Sequence, residues 1–216
     1  LNGDLIGTTT PATKNISMEI TPKYQWAYNG DEGNVATYGR LYTWYATTDN
    51  RNVCPTGWRV PTDGDWTTLA TFLGGTSVSG GKLKENGTTH WLSPNIGGTN
   101  ETGYTALPGG GRYYLGSFLS IGQTGGWWSS TKEIDPGYYA SGYFLSYNTS
   151  DLVMESQYML NGLSIRCLKG SIQNILVPAV STNPVSNISN TSIVVGNTII
   201  PNFSATCGGN ISSDGG

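Results

Sequence analysis

Charge is scarce in this chain. Of its 216 residues only 12% are charged, with 11 Lys and Arg against 14 Asp and Glu, for a formal net charge of -3. No basic stretch alternates with aromatic residues, the pattern that is typical of nucleic-acid binding. The composition therefore excludes nucleic acid as an expected partner.

Long apolar runs are absent as well. No stretch of about 18 apolar residues occurs, so the sequence predicts no membrane span. The first residues, from Leu1 to Asp4, contain neither an initiator Met nor the basic segment that opens a signal peptide. We expect a mature or trimmed product.

Histidine and cysteine are too few for most catalytic or metal sites. The single histidine, His90, has no second histidine and no neighbouring cysteine to complete a metal or nucleophile site. We expect it to be a structural residue in a loop or partly buried. The sequence predicts no catalytic residues, no metal site and no cofactor.

Three cysteines leave one unpaired if the other two form a disulfide. Cys54 and Cys167 flank the densest aromatic part of the chain, whereas Cys207 lies in a tail of different composition. We predict a Cys54–Cys167 disulfide, which would stabilise by roughly 4 to 5 kcal/mol in a chain-entropy account. The alternative is three buried thiols in a cytosolic protein.

Glycine and aromatic residues, by contrast, are abundant. The chain has 31 Gly, 7 Trp and 13 Tyr, and aromatics make up 11% of it. This composition favours a loop-rich, β-leaning secreted protein with a core of large rings. At this length we expect one large and one small folded unit.

The composition changes near Gly170. Every Lys and Arg precedes it, and the segment after it carries a single charge, Asp214. This tail has the Ser, Thr, Asn, Val and Ile content of short sandwich strands, which we predict at residues 188–195, 198–203 and 205–211. Three strands are fewer than the seven or so of a sandwich, so we interpret residues 171–216 as an incomplete β-sandwich segment.

Residues 1–170 contain two predicted helices. One covers residues 38–46; the other covers residues 62–73, with Thr62 as N-cap, Asp63 and Asp65 in the first turn and two glycines after its end. The rest is predicted to be short antiparallel strands at residues 113–121, 126–130, 138–147, 152–160 and 163–168. Asn161-Gly162 is typical of a hairpin turn. The predicted fold class is α+β.

Six sequence blocks carry a resemblance to a known family. They are Tyr38-Gly39-Arg40-Leu41-Tyr42-Thr43-Trp44-Tyr45-Ala46, Cys54 to Trp66, Gly81-Lys82-Leu83-Lys84-Glu85, Gly103 to Gly110, Trp127-Trp128-Ser129-Ser130-Thr131 and Ser164-Ile165-Arg166-Cys167-Leu168. In this order they resemble the Fibrobacter succinogenes major paralogous domain over about residues 24–169. The resemblance implies a secreted bacterial protein with a C-type-lectin-like domain, and that family has no settled activity.

Two departures from the family pattern set the expected domain limits. Residues 1–22 do not match the family's usual opening, so we treat them as an N-terminal extension before a lectin-like domain at residues 23–170. The tail resembles the start of a fibronectin- or immunoglobulin-like module, in which Cys207 would lack its usual partner.

The resemblance also extends to the helix-opening motif of formylglycine-generating enzymes, at Arg59 to Trp66. That activity would need a redox-active cysteine pair late in the domain, where only Cys167 lies. Helix-start electrostatics account for Asp63 and Asp65 without catalysis. Other carboxylates fall in loops or strand ends where calcium could bind: Glu101, Glu133, Asp135, Asp151 and Glu155. The Glu-Pro-Asn and Gln-Pro-Asp motifs of calcium-dependent lectins do not occur.

Aromatic residues are the remaining candidates for ligand binding. Trp127, Trp128, Tyr138, Tyr139 and Tyr143 could form a platform for sugar rings. The family block predicts that Trp128 is buried in the core. Trp127 and Tyr139 stay open between core and ligand-facing roles.

These observations favour a non-enzymatic, secreted or cell-surface bacterial protein with a structural or adhesive role. Residues 15–21 alternate apolar side chains at Ile16, Met18 and Ile20, which predicts a strand. We hypothesise that residues 1–22 are donated to the incomplete sandwich of the next copy, giving a head-to-tail polymer or filament. The alternative is a carbohydrate- or protein-binding module of a larger secreted protein.

Overall fold

The computed structural model describes residues 5–133 and 137–170, together with the backbone of four strands beyond residue 180. By its contacts the chain divides into two compact units, Leu1–Ser171 and Ile172–Gly216. The first unit combines helices with mixed β-sheet, which is an α+β fold.

The first part of the larger unit is built from short elements. Strand β1 (Gln25–Trp26) pairs with β2 (Leu41–Tyr42), and two short helices, α1 (Val35–Tyr38) and α2 (Trp44–Thr47), flank β2. The single helix predicted over residues 38–46 is therefore wrong. Gly39, with φ of 73°, ends α1, and the Thr43 side chain caps a new helix by accepting from the amide of Ala46.

Helix α3 (Asp63–Phe72) confirms the second predicted helix. Thr62 is its N-cap and forms a capping box with Asp65, since each side chain accepts from the other residue's backbone amide. Gly74 and Gly75, with φ of 99° and 104°, follow its end. All of these interactions are local, which is why the sequence pattern predicts this helix well.

Helix α4 (Thr76–Leu83) was not predicted, because its interior contains Gly80 and Gly81. Both glycines lie against backbone. A Cβ at Gly80 would overlap the carbonyl oxygen of Asp151, and one at Gly81 would lie 2.5 Å from the carbonyl oxygen of Gly97. Close approach of the chain, rather than helix propensity, decides the residue type here.

The centre of the unit is a five-stranded sheet with the order β5-β4-β6-β7-β8. Its strands are β4 (Gly109–Arg112), β5 (Phe118–Ile121), β6 (Thr124–Lys132), β7 (Tyr139–Ser146) and β8 (Val153–Tyr158). All neighbours are antiparallel except β4 and β6.

The structure corrects two strand predictions. The strand predicted at residues 113–121 is a turn followed by β5, and the Gly-rich β4 precedes it. Residues 162–164 form isolated bridges to Arg112, Tyr42 and Trp127 instead of a hairpin.

A disulfide closes the unit, as predicted. Cys54 and Cys167 are bonded across 113 residues with their Cα atoms 5.8 Å apart. Beside it, β3 (Trp58–Arg59) pairs with β9 (Leu168–Lys169). The early and late parts of the domain are thus held together covalently and by backbone pairing.

Large rings fill the core. Trp26, Trp91 and Trp128 are each at most 1% exposed, which confirms the core prediction for Trp128. Trp66 stacks on Tyr143 with ring centres 4.9 Å apart. These rings are divided among three clusters of buried residues.

Two cationic side chains are buried, and neither takes part in an ion pair within the described part of the chain. The ammonium of Lys84 donates to the carbonyl oxygens of Ile96, Ser146 and Thr149 at 2.8–2.9 Å, and burial lowers its pKa to about 8. Three carbonyl acceptors favour the charged form, so Lys84 joins three loops as an internal cation. Arg112 is the second such cation and is 1% exposed.

Arg112 holds the N-terminal segment on its own domain. Its guanidinium donates to the carbonyl oxygens of Ala12 at 3.0 Å and Lys14 at 2.5 Å, and lies 4.0 Å from the ring centre of Trp26. Ile16 is 1% exposed, and the amide of Gln25 donates to the carbonyl of Gly7. Residues 5–22 are therefore part of the larger unit.

The strand predicted at residues 15–21 is not formed. Residues 17–18 form a turn, so Ile16 is buried while Met18 and Ile20 are 92% and 85% exposed. The alternation of apolar residues was misleading because the three side chains do not share a face.

The smaller unit contains four described strands. Strands β11 (Ser189–Val195) and β12 (Thr198–Ser204) form an antiparallel pair, and β10 (Ser181–Thr182) pairs with β13 (Gly209–Asn210). The predictions at residues 188–195 and 198–203 are confirmed as strands. Of the third prediction only Gly209–Asn210 is described, and Cys207 lies outside the described residues.

Candidate functional site: a tyrosine surface

Trp127 and Tyr139, for which the sequence did not decide between a core and a ligand-facing role, lie apart in the structure. Trp127 on β6 is 7% exposed and packs edge-on against Tyr104, with ring centres 6.1 Å apart. Its cross-strand neighbour on β7 is Tyr143, four residues from Tyr139. Four residues of strand span about 13 Å, so Trp127 and Tyr139 do not share a ring cluster.

Tyr139 instead belongs to a group of five tyrosines. The group, called the tyrosine surface below, consists of Tyr113, Tyr114, Tyr138, Tyr139 and Tyr158. Tyr158 is its centre, with ring-centre distances of 5.0 Å to Tyr114, 5.6 Å to Tyr139 and 6.5 Å to Tyr138. Tyr113 continues the group at 4.4 Å from Tyr114.

Three elements bring these rings together. Tyr139 and Tyr158 are register partners on β7 and β8, and Tyr113-Tyr114 lies in the turn between β4 and β5. The amide of Tyr114 donates to the side-chain oxygen of Asn161 at 3.1 Å, which fixes the turn beside the sheet. The sequence contains two tyrosine doublets, but only the fold makes them neighbours.

The tyrosine surface is accessible on one side and anchored on the other. Tyr138 and Tyr113 are 59% and 38% exposed, whereas Tyr114 and Tyr158 pack against the buried residues Ile16, Trp26 and Leu160. Anchored rings lose little conformational entropy when a ligand binds. A hydrogen bond to Tyr114 raises the pKa of Tyr113, so its hydroxyl stays protonated at neutral pH.

A cavity of about 160 Å³ adjoins this surface and shares Tyr113 with it. Its wall also includes Arg112, Gln157 and Asn161. The Asn161 amide donates to the side-chain oxygen of Gln157 at 3.2 Å. Together the rings and this wall offer flat apolar faces bordered by hydroxyl and amide groups, which is the chemistry that a sugar ring needs.

The carboxylates weighed in the sequence have structural partners. Asp65 forms a two-pronged ion pair with Arg59 at 2.5 and 2.7 Å, and this holds the pKa of Asp65 well below its usual range. Asp63 accepts from the hydroxyl of Ser141 at 2.8 Å, and Glu101 pairs with Lys82 at 3.0 Å. These contacts give each of the three candidate carboxylates a protein partner, and Oδ1 of Asp63 is the one oxygen among them that is buried without one.

The remaining calcium candidates are also scattered. Glu133 accepts from the Ser156 hydroxyl and Glu155 from the Gln157 amide. Asp135 lies outside the described residues. Within residues 5–133 and 137–170 no three His, Cys, Asp or Glu side chains are grouped as metal ligands.

His90 pairs with a carboxylate. Its Nδ1 lies 2.9 Å from both carboxylate oxygens of Glu85, and its ring meets Tyr38 edge-on at 5.8 Å. The pairing connects the loop at His90 to the end of α4.

Over the described part of the chain, no helix is long and apolar enough to cross a membrane.

Fold and site define a disulfide-bridged α+β domain with an aromatic surface. The chain belongs to the family of the Fibrobacter succinogenes major domain, whose model matches residues 2–169. The match includes residues 2–22, so the prediction that the N-terminal segment lies outside the family was wrong. No curated protein and no solved structure shows significant similarity to the chain.

Proposed function

We propose that this protein is a non-enzymatic adhesive module of a secreted or cell-surface bacterial protein, and that the tyrosine surface binds carbohydrate. The observation that carries the proposal is the contact of three tyrosine rings with Tyr158 and of Tyr113 with one of these, Tyr114. Tyr138 and Tyr113 are open to solvent. Tyrosine suits such a surface because it combines a rigid apolar ring with a hydroxyl group.

Carbohydrate is favoured over a charged ligand by the chemistry of the surface. Its five side chains are uncharged, and the adjoining wall contributes Gln157 and Asn161. The guanidinium of Arg112, also in this wall, is bonded to the carbonyls of Ala12 and Lys14. Stacked rings and neutral hydrogen-bonding groups recognise the apolar faces and hydroxyls of a sugar. We propose binding without calcium.

We propose in addition that the protein is extracellular and that its α+β domain has the C-type-lectin-like fold. A disulfide across 113 residues is expected in an oxidising compartment. Helices α3 and α4 followed by a mainly antiparallel sheet, with β3 and β9 paired next to the disulfide, support a C-type-lectin-like architecture.

Filament assembly by donation of residues 1–22 receives less support than adhesion. The predicted donor is not a strand, and Arg112 and the buried Ile16 hold the segment on its own domain. Donation would require these buried contacts to be given up. We therefore propose adhesion rather than strand exchange.

A glycan array tests the proposal. The full chain should bind a defined set of glycans equally with calcium and with EDTA, and Tyr139→Ala should weaken binding about tenfold, as expected for an aromatic contact of about 1.4 kcal/mol. Phe72→Ala is the matched control, since Phe72 is 84% exposed on α3. Equal loss in both variants, or strict calcium dependence, would contradict the proposal.

A further inference from the structure

A second site lies beside the disulfide, where two cavities share Arg166 and Cys167. One has a volume of about 250 Å³ and is mainly apolar; its lining includes Trp66, Leu69, Tyr104 and Leu168, and also Asp65, whose carboxylate is paired with Arg59. The other, of about 370 Å³, is more polar and includes Arg40 and Ser164. Arg166 thus borders an apolar space on one side and a polar space on the other.

The apolar cavity contains two side chains with unpartnered polar groups. Trp66 is 3% exposed, and its indole Nε1 has no hydrogen-bond partner. The hydroxyl of Tyr104 is likewise buried and unpartnered, and burial raises the pKa of Tyr104, so this group keeps its proton. Both polar atoms have almost no accessible surface, so the two residues present their rings to the cavity.

Arg166 adds a charged donor to the same wall. It is exposed, its guanidinium carbon lies 4.3 Å from the ring centre of Tyr104, and its Nη2 donates to the Tyr104 carbonyl at 2.8 Å. None of the ion pairs in the described part of the chain involves Arg166. The remaining guanidinium N–H groups are thus available to a carboxylate, which Arg binds in a two-pronged manner.

We propose that this cavity binds a small hydrophobic carboxylate, with its apolar part against Trp66, Leu69 and Leu168 and its carboxylate on Arg166. A cavity of about 150 Å³ suffices for benzene, so the observed volume accommodates a ring and a short linker. The same chemistry is offered by a free aromatic acid and by a peptide that ends in Phe. This site is separate from the tyrosine surface.

Calorimetry with 3-phenylpropionate and its neutral amide tests the site directly. The acid should bind at least about tenfold more tightly than the amide, because charge-assisted hydrogen bonds to Arg are lost in the amide. The peptide acetyl-Gly-Gly-Phe, with a free or an amidated C-terminus, distinguishes a peptide C-terminus from a free acid as the ligand. Tighter binding of the free-acid peptide than of 3-phenylpropionate assigns a C-terminal residue, and the reverse assigns a free acid.

Variants connect binding to named atoms. Arg166→Gln should weaken acid binding about tenfold and leave the amide unchanged. Lys132→Gln removes the same charge from an exposed position at the end of β6 and should have no effect. Leu69→Trp should block the cavity. Binding should also shift the Trp66 indole N–H resonance, which is identified by its absence in Trp66→Phe.

Three results would overturn the inference. They are equal affinity for acid and amide, equal loss in Arg166→Gln and Lys132→Gln, or an unmoved Trp66 resonance at saturating acid. If Trp66→Phe does not fold, Leu69→Trp still provides the test, because unchanged acid binding in that variant excludes the cavity. Tyr139→Ala should bind the acid normally, so failure here and failure of glycan binding are distinguishable.

Discussion

Replacement of Arg112 by Met should release the N-terminal segment and destabilise the larger unit. The change keeps an apolar stem beside Trp26 but removes the donor to the Lys14 carbonyl and leaves the Ala12 carbonyl with the Thr9 hydroxyl at 3.3 Å. The orphaned Lys14 carbonyl costs about 1–3 kcal/mol, and the two lost bonds to Ala12 and the lost stacked cation add to this. We expect the free energy of unfolding to fall by about 3–5 kcal/mol.

Urea unfolding followed by tryptophan fluorescence measures this loss, and amide exchange locates it. The amides of Ile16 and Gln25 are bonded to the carbonyls of Tyr114 and Gly7, so both should exchange faster in Arg112→Met. Arg40→Met is the control. Arg40 pairs with Glu32, whose side chain is 68% exposed, and this pair contributes about 1 kcal/mol or less. A loss below about 1 kcal/mol in Arg112→Met, with unchanged exchange, would refute the anchoring role.

Two further predictions concern α4 and its end. Gly80→Ala should lower the free energy of unfolding, measured in urea, by at least about 2 kcal/mol, because its Cβ would overlap the Asp151 carbonyl. Gly64→Ala in α3 is the control, since the atom nearest to its Cβ would be 3.6 Å away. This variant should be neutral or stabilised by up to about 1 kcal/mol. For Lys84, burial lowers the pKa from 10.5 to about 8, so between these values the unfolded chain binds more protons and the free energy of unfolding should rise with pH. Urea titrations from pH 7.5 to 9.5 should show this rise relative to Lys84→Met, and parallel curves would contradict it.

Local chemistry determined what could be predicted from the sequence. Helix α3 was predictable because its cap, first-turn carboxylates and terminating glycines are all within a few residues of it. Strand β7 was predictable from its aromatic and small alternating residues. The Cys54–Cys167 disulfide followed from the placement of two cysteines around one aromatic segment.

Long-range packing determined what could not be predicted. Gly80 and Gly81 made α4 unpredictable, because glycine disfavours a helix and the backbone atoms that require glycine here lie up to 71 residues away, at Asp151 and Gly97. Ile16 was assigned to a strand because its contacts with Trp26 and Leu160 are invisible in a local pattern. The tyrosine surface was only partly predicted, at Tyr138 and Tyr139, for the same reason.

The measurement that tests the central claim most directly is the affinity of the best glycan from the array for three proteins, determined by calorimetry. The account predicts that Tyr139→Ala binds about tenfold more weakly than the unchanged chain, while Phe72→Ala binds within about twofold of it. Equal affinity in all three proteins would show that the tyrosine surface does not bind the glycan.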